Sequence, residues 1–306
     1  MCRHLGYVGP AVSVGEMLTT GTHSLRTQAW APRDMRGGGT INADGFGVAW
    51  WRAAEPDGMQ DPSATSTLPG DAAATSTLPS DAAATSKLIA SRYRNPAPIW
   101  TDPAVEEVLP QLHSAAVLAS IRSATVGMPV ERAACAPFTS AQWAFSHNGS
   151  VPNWRNVITA ASSDLDNAAT QFGATRLFET IQLLEAESPT DAATLWVLLR
   201  QMLTAVSPDG FVDSPGTALG LLAAGVLKHA PAARLNFLLG DGETLWATTV
   251  HHALSALVTD TSAVLASEPY DDDPHWRSIP DRSLVIARPG KLTIDPLPDS
   301  TKGASR

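Results

Sequence analysis

Strand-length apolar runs in this chain come in pairs around turn residues, and its helical stretches cluster in the middle. Residues 234–239 and 244–249 flank Gly240-Asp241-Gly242-Glu243, a strong hairpin signal. Residues 253–258 and 263–267 pair in the same way, as do 284–287 and 291–294 around Arg288-Pro289-Gly290. Nearer the N-terminus, 2–9, 46–51, 115–122 and 143–146 read as further strands. Ser13 is expected to cap a short helix through Thr20, and Asp102 a helix to about His113. Three more helices are expected over about 174–187, 191–205 and 217–229. Hairpins on either side of a helical block are not the alternating pattern of a parallel sheet, so the pattern predicts an α+β fold.

One stretch departs from this pattern. Ala64-Thr65-Ser66-Thr67-Leu68-Pro69-Gly70-Asp71-Ala72-Ala73 recurs at 74–83 with a single change, and a third copy begins Ala84-Thr85-Ser86-Lys87-Leu88. Small polar residues with one leucine per copy bury too little apolar area to offset the entropy of ordering. Residues 55–86 are therefore expected to be a disordered insertion between two strands, dispensable to any chemistry. Outside it, residues 2–298 read as a single domain and 299–306 as a frayed tail. Arg33-Asp34-Met35-Arg36-Gly37-Gly38-Gly39 is a glycine-rich loop, but without a following Gly-Lys-Ser/Thr it is a poor phosphate loop.

With 21 basic and 30 acidic residues the net charge is −9, and no basic stripe stands out, so nucleic acid and anionic membrane are poor partners. No apolar run reaches the ~18 residues that span a bilayer, and no signal peptide is expected. The two cysteines, Cys2 and Cys135, make no disulfide framework.

Cys2 is the residue with the most chemical promise. Removal of Met1 would leave its α-amine free, titrating near ~8 and a few bonds from the sulfur. Such an amine can activate its own thiol without a separate histidine. A thiolate nucleophile must stay reduced, which favours the cytoplasm. Attack on a carbonyl also needs oxyanion donors and a substrate anchor. Asn148-Gly149 offers a side-chain amide and a backbone N–H, although the same dipeptide is also the commonest hairpin turn. Arg122, at the end of an apolar strand, can take a carboxylate through both guanidinium nitrogens or simply be solvated.

Taken together, Cys2, Ile121-Arg122-Ser123-Ala124-Thr125 and His147-Asn148-Gly149 resemble the class II glutamine amidotransferase domain of the N-terminal-nucleophile hydrolases. The resemblance implies a four-layer αββα sandwich. It also implies that Cys2 attacks a γ-glutamyl carbonyl, that Asn148 and the Gly149 N–H hold the oxyanion, and that Arg122 binds the α-carboxylate. An aspartate at a helix start would bind the α-amine. Asp191 in Pro189-Thr190-Asp191-Ala192-Ala193-Thr194-Leu195-Trp196 fits that pattern, and a plain helix cap is its ordinary alternative. A second register uses Gly173-Ala174-Thr175-Arg176, and Asp164 and Asp166 are fallback candidates. Choosing Asp191 makes 162–187 an added segment.

Further motifs resemble one branch of that family, the stand-alone amidohydrolases of ergothioneine biosynthesis. They are Met1-Cys2-Arg3-His4-Leu5, Asn42-Ala43-Asp44-Gly45-Phe46-Gly47, Ala136-Pro137-Phe138 and Ala266-Ser267-Glu268-Pro269-Tyr270-Asp271-Asp272-Asp273-Pro274. The implied substrate is γ-glutamyl-hercynylcysteine sulfoxide, a small molecule, with no cofactor. Rival expectations are a glutaminase subunit that passes ammonia to a separate synthase, and a non-catalytic γ-glutamyl-binding protein. Metal is not expected: His251-His252 would face opposite sides of a strand, and no second cluster has ligand spacing. Cys135 reads as a structural thiol.

Overall fold

Two antiparallel sheets lie face to face in the structure, a computed structural model that describes residues 2–34, 36, 41–54, 87–174 and 176–298. The insertion expected at 55–86, the triple glycine at 37–39 and the tail at 299–306 lie outside the described residues. In chain order the strands are β1 (Arg3–Ser13), β2 (Phe46–Ala53), β3 (Leu88–Asn95), β4 (His113–Ile121), β5 (Phe138–Ser140), β6 (Trp143–Ser150), β7 (Arg234–Gly240), β8 (Leu245–Thr249), β9 (Ser255–Val258), β10 (Ala263–Ala266), β11 (Arg277–Ser278), β12 (Ser283–Arg288) and β13 (Lys291–Pro296). The first sheet runs β11-β9-β10-β1-β4-β2-β3 and the second β13-β12-β8-β7-β6-β5. The α-helices are α1 (Glu16–Thr19), α2 (Leu25–Gln28), α3 (Ala104–Glu107), α4 (Trp154–Gln171), α5 (Thr180–Leu183), α6 (Asp191–Thr204) and α7 (Pro215–His229).

Alternation along the strands sets the layers. In β1, Leu5 and Tyr7 face outward to a core shared with α1, α2 and α3, while Val8 faces the second sheet. The inter-sheet core is built from small and medium side chains, among them Ala49, Ala116, Leu118, Ala144, Leu238, Ala247, Leu265 and Ala287. Many alanines let the two sheets approach closely. The outer face of the second sheet carries Phe145, Phe237 and Trp246, on which α4, α6 and α7 pack; Phe145 and Trp196 stack with ring centroids 5.7 Å apart. The result is an α+β sandwich with helices on both outer faces. On the first sheet that helical layer is thin, because α1, α2 and α3 are each four residues long.

The expected hairpins form, β7 with β8, β9 with β10 and β12 with β13. The helices expected over 191–205 and 217–229 form as α6 and α7, and the other helical expectations need correction. The helix expected over 174–187 is a single turn, α5, and the long helix instead precedes it as α4 over 18 residues. Asp166 Oδ1 accepts the backbone N–H groups of Leu177 (2.6 Å) and Phe178 (3.1 Å), which gives that stretch a local alternative to helix. The stripe Val157, Ile158, Ala161, Leu165 and Ala169 was the readable signal for α4. Between Asp102 and His113 the expected helix is broken into α3 and a 3₁₀ turn at Leu109–Gln111, with prolines at 103 and 110. Asn148-Gly149 is not a turn: both residues lie inside β6, opposite Asn236 and Leu235 of β7. His251 and His252 are likewise not in a strand; they follow β8 in a bend, and His251 has φ +81°.

Candidate active site

β1 is the middle strand of the first sheet, with β10 on one side and β4 on the other. Arg3 pairs with Ile121 of β4, so the chain segments carrying Cys2 and Arg122 leave the sheet side by side. A pocket opens there, lined by Cys2, Arg122, Gly149 and Asp191, with Thr125, Met128, His147 and Thr190 around them. Residues separated by nearly two hundred positions in the sequence are thus brought to one cavity.

Cys2 is partly exposed, and its thiol donates to the Ser123 carbonyl at 3.7 Å. Arg122 is positioned by main chain: its N–H donates to the Gly45 carbonyl at 2.8 Å, and its own carbonyl accepts from the Asp44 N–H at 3.0 Å. Asp44 Oδ2 accepts the Ala124 N–H at 2.7 Å and closes the turn. Gly45 has φ +118°, where a side chain would be strained and would also meet the Cys135 sulfur. The Arg122 guanidinium donates to the Asp44 carbonyl at 3.4 Å and has no ion-pair partner among the described residues.

Asp191 is buried at the first turn of α6, where the helix dipole favours a carboxylate. It is not the cap: Thr190 is, its hydroxyl accepting from the Ala193 N–H. Asp191 Oδ2 accepts the Val151 N–H at 2.9 Å and Oδ1 the Ala192 N–H at 2.8 Å. Val151 directly follows β6, so this bond docks the start of α6 on the strand that carries Asn148-Gly149. Arg122 and Asp191 present opposite charges to the pocket, a match for a zwitterionic α-amino acid end. The competing register is elsewhere: Arg176 pairs with Asp166 at 3.3 Å on the surface. Asp164 pairs with Lys228 at 2.6 Å and His229 at 2.8 Å, also away from the pocket.

Gly149 admits no other residue. A Cβ there would collide with the Arg234 carbonyl and the His147 ring. His147 holds that arrangement through Nε2 and the Arg234 carbonyl, 2.9 Å apart. Asn148 is fully buried, and its Nδ2 donates to the Ser267 hydroxyl at 3.2 Å. An amide nitrogen carries two hydrogens, so one remains for a second acceptor.

Several residues around the site had no assigned role in the sequence reading. Arg3 and Glu268 form a buried ion pair at 2.8 Å, and Arg3 also donates to the Cys2 carbonyl at 3.2 Å. Glu268 further accepts from His23 at 2.8 Å and from the backbone N–H groups of Arg33 (2.8 Å) and Asp34 (3.1 Å). Burial alone would raise its carboxyl, but Arg3 and these donors together hold it below the usual carboxylate range. Burial, helped by His147 and Arg3, pushes the His4 imidazole down to about 3, so it is neutral at neutral pH. The signal was present in the sequence, as Arg3-His4 beside the nucleophile and Ser267-Glu268 within a matched motif. Cys135 is buried, and burial raises its thiol to about 11, which fits a structural role.

Comparison with known proteins decides the family. The sequence matches the glutamine amidotransferases class-II over residues 84–304. The chain belongs to that family. Two curated relatives span almost its whole length. A gamma-glutamyl-hercynylcysteine sulfoxide hydrolase of Mycolicibacterium smegmatis is 34% identical over 298 residues, 97% of this chain and all of the relative. The protein of the same name from Mycobacterium tuberculosis is 35% identical over 303 residues, 99% of each chain. Among solved structures, a glutamine aminotransferase class-II domain protein from Silicibacter pomeroyi superposes with a TM-score of 0.54 at 18% identity, covering 97% of this chain and 99% of that one. This last likeness is one of fold, and it agrees with the two-sheet sandwich of this class II amidotransferase. Among the described residues no helix is long and apolar enough to cross a membrane.

Proposed function

We propose that this class II amidotransferase hydrolyses a γ-glutamyl amide through a thioester on Cys2. Its substrate is γ-glutamyl-hercynylcysteine sulfoxide, cleaved to glutamate and hercynylcysteine sulfoxide in ergothioneine biosynthesis. The observation that carries the reading is the convergence of Cys2, Arg122, Gly149 and Asp191 on one pocket. The choice of leaving group is supported by the names of the relatives that match nearly end to end.

Arg122 pairs with the glutamyl α-carboxylate and Asp191 with its α-amine, which fixes the γ-carbonyl over the sulfur. Removal of Met1 leaves the Cys2 amine as the base. The thiol proton passes to that amine, the sulfur–carbon bond forms, and negative charge collects on the former carbonyl oxygen. The free Asn148 N–H and the Gly149 N–H receive that charge. Collapse breaks the carbon–nitrogen bond, and the amine returns the proton to the departing nitrogen. Water then adds to the thioester, glutamate leaves, and the thiol is restored. In this reading residues 2–298 form one domain around the site, residues 55–86 take no part in the chemistry, and a thiol that must stay reduced to attack favours the cytoplasm.

The test compares glutamate release from γ-glutamyl-hercynylcysteine sulfoxide and from glutamine by the purified full-length protein. Release from the sulfoxide with a kcat/KM at least tenfold above that for glutamine is expected. A preference for glutamine would instead favour an ammonia-supplying glutaminase. No release from either would sink the hydrolase and leave a binding protein.

A further inference from the structure

The nucleophile and the oxyanion amide stand on different sheets. Cys2 precedes β1 of the first sheet, and Asn148 lies in β6 of the second. Between these sheets the core is largely alanine and leucine, which packs well but has no directional preference. Something polar must set the amide at a fixed distance and angle from the sulfur.

Ser267 occupies the place where such a link is needed. It follows β10 immediately and extends the β10–β1 pairing by one residue towards Cys2: its N–H donates to the His4 carbonyl at 2.9 Å. In return the His4 N–H donates to the Ser267 hydroxyl at 3.0 Å. The same hydroxyl accepts from Asn148 Nδ2 at 3.2 Å, across the gap between the sheets. Ser267 and Asn148 are both buried, and the Asn148 Oδ1 has no hydrogen-bond partner among the described residues. Asn χ2 is soft and roughly two-fold, so packing alone does not fix the orientation of this buried amide. Among the described residues the Ser267 contact is the one side-chain hydrogen bond holding that amide. The next residue, Glu268, binds Arg3, so consecutive side chains tie one loop to Asn148 and to the residue that follows the nucleophile.

We infer that Ser267 is a positioning residue for catalysis: its hydroxyl holds the Asn148 amide in register with the Cys2 thiol across the two sheets. This rests on the reading of Asn148 as an oxyanion donor. Ser267 does not itself touch the substrate. Its loss leaves the thiol and the glutamyl anchors in place and misdirects one donor.

The experiment uses the full-length protein and its Ser267→Ala, Ser267→Thr and Asn148→Ala variants, together with the Ser267→Ala/Asn148→Ala pair. Steady-state hydrolysis of the γ-glutamyl substrate is read beside the rate at which iodoacetamide alkylates Cys2, located by peptide mapping. Alkylation forms no oxyanion. In Ser267→Ala, kcat should fall about 10- to 100-fold while KM and the alkylation rate stay within about twofold. Ser267→Thr, which keeps a hydroxyl, should recover most of kcat. Adding Ser267→Ala to Asn148→Ala should cost little more, because the amide it orients is gone. An unchanged kcat in Ser267→Ala, a parallel fall in alkylation, or full additivity in the pair would each overturn the inference while leaving the hydrolase reading intact. A wild-type protein inactive on every γ-glutamyl amide overturns both.

Discussion

Asp191 shows how one residue can satisfy two constraints at once. Its carboxylate oxygens are held by the Val151 and Ala192 N–H groups, and its charge has no ion-pair partner among the described residues. Asp191→Asn keeps an acceptor for the backbone but removes the charge that meets an α-amine. Charge-assisted bonds are worth about 1.5–3 kcal/mol, so KM should rise about 10- to 100-fold. Assayed against a glutaryl amide, which lacks the α-amine, the variant should match the wild type; a wild type that does not discriminate between the two substrates contradicts the assignment. Gly149 is constrained by space instead. Gly149→Ala places a methyl against the Arg234 carbonyl, so the thermal midpoint should drop by several degrees along with kcat. A calorimetric midpoint equal to the wild type's would mean that β6 has more room than this structure gives it. Cys2, Arg122 and Asp191 were readable as candidates because they stand in short local patterns, and the structure brings all three to one pocket. Arg3, Ser267 and Glu268 stood in matched motifs but carried no readable role, because their contacts exist only once β1, β10 and β6 are side by side.

At the scale of elements, strands were more legible than helices. The paired apolar runs around Gly240-Asp241-Gly242-Glu243 and Arg288-Pro289-Gly290 became hairpins because turn chemistry and alternation agree there. Asn148-Gly149 misled for the same reason. Its local preference is a turn, and the ladder between β6 and β7 overrides it through seven consecutive residue pairs from Ala144–Gly240 to Ser150–Arg234. Within the helical block α6 and α7 fall where the pattern put them, but α4 was missed because it is rich in Ser, Thr, Asp and Asn, residues of modest helix propensity, and its buried stripe carries the signal instead. β2 and β3 stay paired out to Ala53 and Leu88, and the Ala54 N–H donates to the Lys87 carbonyl at 2.7 Å. The ends of residues 55–86 are therefore already adjacent. Replacing those 32 residues with Asn-Gly should leave kcat/KM within about twofold and stabilise the fold by about 2 kcal/mol through a shorter loop. A large loss of activity on urea-stable protein would show that the insertion serves the site.

For the whole molecule, two buried neutral histidines make stability depend on pH below neutrality. Burial pushes His4 to about 3 and, with Arg234 and His251 nearby, His252 to about 2. The unfolded chain protonates both near pH 6.5 while the folded chain does not. The unfolded state thus binds more protons below that pH, and stability falls as pH drops from about 6.5 towards 3. The loss should approach roughly 2 kcal/mol per histidine between pH 7 and pH 5, measured by urea unfolding. His252→Asn should remove about half of that slope; an unchanged slope would place the titration elsewhere. Glu268 adds a lower window. Its depressed carboxyl stabilises the fold above the usual glutamate range, and that contribution is lost as pH falls through its folded value. Both effects sit in the shared layer between the sheets and the buried contacts beside Cys2, which is where fold and chemistry depend on each other. The most direct test of the central claim is the intact mass of the purified protein before and after a diazo-ketone glutamine analogue. A chain without Met1 that gains one adduct on Cys2, blocked by excess γ-glutamyl substrate, is expected. A chain that retains Met1, or that gains no adduct on Cys2, would contradict it.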